Sequence, residues 1–239
     1  MSAATLIASI PAPSAHTAST GVTYPGFAAR TVAEIAAVLP GSTAVFRRHK
    51  LDFCCGGEAR LADAAAMRRA DLATVEAELA ALEMPELPAP ASTPDLIALI
   101  LIRYHAVHRH ELTKLVRLAW RVEAVHGDNP DCPRGLAELL DAIGTELEHH
   151  MQKEEQVLFP MMIRGGAPMI GQRIAVLRHE HENHGLHLHA LAALTRDATP
   201  PHGACTTWRA LYAGVRKLTD DLIEHIHLEN NVLFPRFGG

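Results

Sequence analysis

His150-Met-Gln-Lys-Glu154-Glu-Gln-Val-Leu-Phe-Pro160 returns as His225-Ile-His-Leu-Glu229-Asn-Asn-Val-Leu-Phe-Pro235, with His150, Glu154, Val157, Leu158, Phe159 and Pro160 each repeated 75 residues on. A repeat at fixed offset marks a duplicated structural unit. Residues four apart on a helix share one face, so each copy aims an imidazole and a carboxylate at the same place. The copied apolar residues mark the packed flank, and a His and a Glu beside it would be expensive to bury without partners. Each copy therefore reads as half of a metal site rather than as an exposed i, i+4 pair.

The other half is expected from two further helices. His105 precedes His150 by 45 residues and His181 precedes His225 by 44, which makes His105 and His181 equivalent positions. His108, one helical step from His105, is the competing position. Four histidines and two glutamates suit iron, manganese or zinc, and two carboxylates allow bridging between two metals. The absence of thiolates from this set disfavours a structural zinc site. If Glu154 and Glu229 both bridge, each metal receives two imidazoles and two carboxylate oxygens, and an oxo or hydroxo bridge leaves one position open. Glu146 and Glu180 are candidate acceptors for ring N–H groups of ligand histidines, with exposed helix glutamates as the ordinary alternative. The remaining histidines, His184, His187 and His227 among them, are expected to face solvent or to sit behind the ligands.

Working outward, the chain of 239 residues exceeds one typical domain. Residues 1–25, rich in Ala, Ser, Thr and Pro and without Lys or Arg, read as a disordered tail with no targeting character. A helical domain is expected over 26–83, with Thr31 and Glu34 forming a capping box, Ser42 and Asp71 capping later helices, and the pair Cys54-Cys55 at a turn. Adjacent cysteines close only a strained ring, so a redox or metal-handling role stands against two small residues packed at a helix end. Prolines 85, 88, 90 and 94 make 84–94 an extended linker. Over 95–239, long helices at 95–125, 133–162, 168–194 and 206–234 with short breaks predict an antiparallel four-helix bundle. The fold class is all-α.

The net charge of −5 without a basic run argues against nucleic acid. The longest apolar run, Leu96 to Ile102, is far too short for a membrane span. Four cysteines do not make a disulfide scaffold, and a cytoplasmic location is expected.

Asp52-Phe-Cys-Cys-Gly-Gly57, Arg103-Tyr-His105, His150 to Pro160, Glu180-His181-Glu182, Ala204-Cys-Thr-Thr-Trp208 and His225 to Pro235 together resemble the iron-sulfur cluster repair proteins, or Repair of Iron Centres family. The resemblance runs from about Tyr24 to Phe237, and the tail, His149 and His227 depart from the family's usual pattern. It implies a hemerythrin-like bundle holding two non-haem iron ions on His105, His150, Glu154, His181, His225 and Glu229, the six that spacing selects. It also implies repair of clusters damaged by nitric oxide or oxidants, by supplying iron, with Cys54 and Cys55 receiving iron or supplying reducing equivalents. Partners implied are damaged iron-sulfur proteins and small diatomics such as NO or O2; a homodimer is left open. Two other classes stay open on the residues alone: a di-iron oxidoreductase acting on NO, nitrite or peroxide, and a binding module that senses O2 or NO.

Overall fold

A computed structural model describes residues 26–39, 41–53, 57–82 and 92–238. Residues 1–25, Cys54, Cys55 and most of the proline-rich stretch lie outside them. Among the described residues the structure is all-helical, with one isolated bridge between Thr31 and Arg60.

Four short helices come first: α1 (Val32–Val38), α2 (Ser42–Arg48), α3 (Leu61–Arg68) and α4 (Leu72–Ala80). Thr31 and Glu34 satisfy each other's backbone N–H groups at the start of α1, and Asp71 accepts from Thr74 N at the start of α4, devices worth about 1 kcal/mol each. Ser42 does not cap α2. Gly41, at φ 85°, takes the N-cap position, a backbone geometry that glycine adopts without strain, and the buried Ser42 hydroxyl instead donates to Ile35 O. Val32, Ile35, Phe46, Phe53, Leu61 and Val75 form one apolar cluster.

The second part is built from four rods. The first runs through α5 (Thr93–Ile100), a π-helical turn (Leu101–His105) and α6 (Ala106–His126). The second joins α7 (Leu136–Lys153), a π turn (Glu154–Leu158) and α8 (Phe159–Ile163). The third is the unbroken α9 (Ile170–Thr195), and the fourth joins α10 (Thr206–His227), a π turn (Leu228–Leu233) and a 3-10 turn (Phe234–Phe237). Neighbours in sequence pack on each other, and α10 closes the ring against α6, as short connections require of an up-down bundle. Ser92 caps α5 by accepting from Asp95 N, with Pro94 in the first turn, where its missing N–H is harmless.

The bundle interior is apolar twice over. One cluster holds Leu112, Leu115, Leu140, Leu147, Trp208, Leu218 and Ile226; the other holds Leu96, Ile100, Leu158, Phe159, Ile174, Leu177, Leu233 and Phe234. On each rod the buried histidines and glutamates lie at or beside the junction between the two clusters. No helix of the described residues is long and apolar enough to cross a membrane.

Candidate metal centre

His105, His150, His181, His225, Glu154 and Glu229 converge in this layer, each 0–1% exposed. Three of the four rods bend into it through a π turn, and each such turn contains a converging residue: His105, Glu154 and Glu229. An inserted π turn adds one residue to the helix and rotates the following face, so that the ligand layer and both apolar layers all point inward.

The donor atoms divide into two quartets that share both carboxylates: His105, Glu154, His225 and Glu229, and His150, Glu154, His181 and Glu229. Glu229 sets Oε1 3.0 Å from His225 Nε2 and Oε2 3.1 Å from His181 Nε2. Glu154 sets Oε2 3.5 Å from His105 Nε2 and Oε1 3.4 Å from His150 Nε2. Each carboxylate thus offers one oxygen to either side. Within a quartet the imidazole nitrogens touch, His105 Nε2 to His225 Nε2 at 3.1 Å and His150 Nε2 to His181 Nε2 at 3.0 Å. That is the separation of two neighbouring ligands on one ion at metal–nitrogen distances of about 2.1 Å.

The fit to a cation shows in what is unsatisfied. Neither oxygen of Glu154 makes a hydrogen bond, nor does Glu229 Oε2, although buried carboxylates are costly without partners. Imidazole nitrogen and carboxylate oxygen are the donor set of iron, manganese and zinc.

The outer ring nitrogens are tied down. His105 Nδ1 lies 2.8 Å from Glu155 Oε1, which also accepts from Arg109 at 2.9 Å. His150 Nδ1 lies 2.9 Å from Glu180 Oε2, and His181 Nδ1 lies 2.9 Å from Asn230 Oδ1. These acceptors place the proton on Nδ1 and leave the Nε2 lone pair facing inward. His225 is held otherwise, its ring stacked on Tyr104 at 5.5 Å.

Electrostatics follow the geometry. Burial works against charge on His150, but Glu154 and the hydrogen bond to Glu180 outweigh it and push the ring up to about 10. Burial also acts on Glu229, yet His225 and His181 hold its carboxyl well below the usual range. Burial, aided by the charge of His225, lowers His105. The hydrogen bond from His150, then that from Lys153, holds Glu180 down at about 2.

Of the two glutamates expected behind the ligands, Glu180 touches His150 and Glu146 does not. Glu146 is half exposed, with its Oε2 3.7 Å from His187 Nδ1; its position one turn before His150 points it around the rod toward α9. Glu155 and Asn230 hold ring protons without having been anticipated, because their partners lie 50 and 49 residues away. Of the two placements expected for His184 and His227, facing solvent or sitting behind the ligands, the structure gives the buried one, both being 3% exposed, and His108 is fully buried yet belongs to neither quartet. Cys54 and Cys55 lie outside the described residues. Phe53, just before them, accepts from Asn231 Nδ2 at 2.9 Å and sets its ring 5.5 Å from His227. Cys132 is buried, and Cys205 lies 3.2 Å from His126.

Comparison with known proteins matches this architecture in both parts. Residues 97–237 match the Hemerythrin HHE cation binding domain, and residues 28–83 match a domain of unknown function, DUF542. The iron-sulfur cluster repair protein YtfE of Yersinia pseudotuberculosis serotype O:1b (strain IP 31758) is 47% identical over 215 residues, covering 87% of this chain and 96% of that protein. The YtfE proteins of Yersinia pestis (strain Pestoides F) and Y. pestis bv. Antiqua (strain Nepal516) match to the same extent. With both parts matched and nearly the full length of these relatives covered, the chain belongs to the family of iron-sulfur cluster repair proteins that carry a hemerythrin HHE cation binding domain.

Proposed function

We propose that this protein restores damaged iron-sulfur clusters by supplying iron from a di-iron centre on His105, His150, Glu154, His181, His225 and Glu229. The observation that carries the reading is the sharing of both carboxylates between two His pairs, one oxygen to each side. One ion would leave half of those oxygens unsatisfied. The names of the relatives support the same role.

The chain's own residues do three things here. Glu155, Glu180 and Asn230 fix the tautomer and orientation of three histidines. The two apolar clusters close the layer from above and below and keep bulk water from competing for the donors. The third contribution is exchange, because histidine and carboxylate release an ion more readily than a closed thiolate cage does. Iron held by these six residues would supply affinity for diatomics such as NO and O2. Cys54 and Cys55 are proposed to receive iron or supply reducing equivalents. Client proteins are damaged iron-sulfur proteins, and the location is the cytoplasm.

The test is reactivation of an NO-damaged [4Fe–4S] enzyme by the iron-loaded protein, beside equal free ferrous iron and beside a His150→Leu variant. Reactivation by the native protein above both controls is expected. Equal recovery in all three would remove the repair role.

A further inference from the structure

One turn outward from the bundle centre lies a second group of donors that the six-residue set does not use. His184 and His187, three apart on α9, share a face, and Glu146 on α7 faces them, with a donor atom from each of the three within 4.8 Å of the others. His184 is 3% exposed, yet neither of its ring nitrogens makes a hydrogen bond, and His187 Nδ1 makes none either. Burying such groups without partners is unfavourable. The 3.7 Å between His187 Nδ1 and Glu146 Oε2 is too long for a hydrogen bond. It is close to the spacing of about 3.4 Å between two ligands of one tetrahedral ion at about 2.1 Å.

The pseudo-symmetric counterpart shows what a filled position looks like. His108 stands 76 residues before His184, as His105 stands 76 before His181, and it too is buried with bare nitrogens. On that side the carboxylates are already matched by cations: Asp221 holds Arg103 and Lys217, and Glu111 holds Lys217. Beside His184, Lys153 is engaged by Glu180, and Glu146 faces His187. The neighbourhood opens to solvent through a cleft of about 200 Å³ lined by Glu146, His149, Lys153, Glu180, Asn183 and His184.

We propose that Glu146, His184 and His187 bind one divalent transition-metal ion of the Fe2+, Co2+ or Zn2+ class, separate from the ions of the bundle centre. Two imidazoles and one carboxylate form the donor set, with the remaining positions left to water. The His184 ring meets the His150 ring edge-on at 5.0 Å, so this ion lies between the cleft and the centre. The proposal is independent of the repair role.

Cobalt(II) is the probe. Untagged full-length protein, with its centre first filled with iron, is titrated with Co2+ and followed by equilibrium dialysis and the visible d–d bands. One further equivalent per chain is expected, with binding weakened at least about tenfold in Glu146→Gln and in His187→Gln and with iron content unchanged in both. These two side chains are partly exposed, so the variants fold where a change at buried His184 endangers folding. Absence of the extra equivalent would overturn the proposal. Native Co2+ affinity in either variant, or iron lost from the centre in either, would overturn it equally.

Discussion

His150 and His181, on facing rods, bring their Nε2 atoms to 3.0 Å although each ring already gives its Nδ1 proton to another acceptor, Glu180 or Asn230. Two inward lone pairs at that distance repel unless a proton or a metal ion lies between them. The outer acceptors therefore set how strongly an ion is drawn in. Glu180→Leu and Asn230→Leu are each expected to lower iron affinity by about 10- to 100-fold, measured by chelator competition, while the helical circular dichroism stays unchanged.

Glu154 is buried and neither of its oxygens makes a hydrogen bond. Its removal should lower both the metal content and the stability of the chelator-treated fold. With the centre holding two irons as proposed above, Glu154→Leu is expected to reduce iron to one per chain or fewer. In chelator-treated protein the same change is expected to destabilise by about 3 kcal/mol, since it removes a carboxylate that faces the buried His150 imidazolium. Elemental analysis and urea unfolding measure the two effects.

The contrast between what could and could not be read from sequence lies in how far each contact reaches. The 75-residue echo of His150 and Glu154 in His225 and Glu229, and the near-equal spacing back to His105 and His181, were legible because duplication leaves a signal along the chain. The capping box at Thr31 and the Asp71 cap were legible because both partners lie within one turn. The π turns were not, since one extra residue in a helix of 30 hardly changes the apolar period, and yet these turns aim His105, Glu154 and Glu229. Glu155 and Asn230 were hidden for another reason: each serves a histidine on a different rod, a pairing that appears only when the rods are assembled. For Glu146 the sequence left two alternatives open, and the assembled rods give the exposed one, with its carboxylate turned toward His187.

His108 gives the pH dependence. Burial, and next the charge of His225, pushes it down to about 2, whereas an unfolded chain titrates near 6.5. A base whose folded value is depressed contributes its stability fully above the unfolded value and loses it as pH falls below that. Unfolding free energy should thus decline by about 1.4 kcal/mol per pH unit from this group between pH 6 and 4. His108→Leu is expected to flatten the urea-midpoint profile by that slope over the same window.

Gly57 sits where no side chain fits. A Cβ there would meet Ala33 Cβ and the Phe53 carbonyl oxygen, both at 2.8 Å, and Gly57 O accepts from Ala33 N at 2.8 Å. The backbone atoms cannot step aside as a flexible side chain would. Gly57→Ala is expected to destabilise the N-terminal helices by about 1–3 kcal/mol, seen as an earlier denaturant transition with the bundle transition unmoved.

Asn231 joins the two parts of the chain. Its side-chain amide donates to Phe53 O at 2.9 Å and to His227 Nδ1 at 2.8 Å, using both hydrogens on groups that are buried. Removing that donor takes one partner from the Phe53 carbonyl and leaves His227 Nδ1 without the Asn231 amide, at about 1–3 kcal/mol when no water replaces it. The loss falls on the attachment rather than on either core, because the apolar cluster of the short helices and those of the bundle are otherwise untouched. Asn231→Ala is therefore expected to leave iron content at the native level while raising amide hydrogen exchange across Val32–Val38 and around Phe53. Unchanged exchange in those segments would mean that the Arg47 pairs with Asp220 and Glu224 suffice to hold the two parts together, and a further Arg47→Ala change would then be needed to release them.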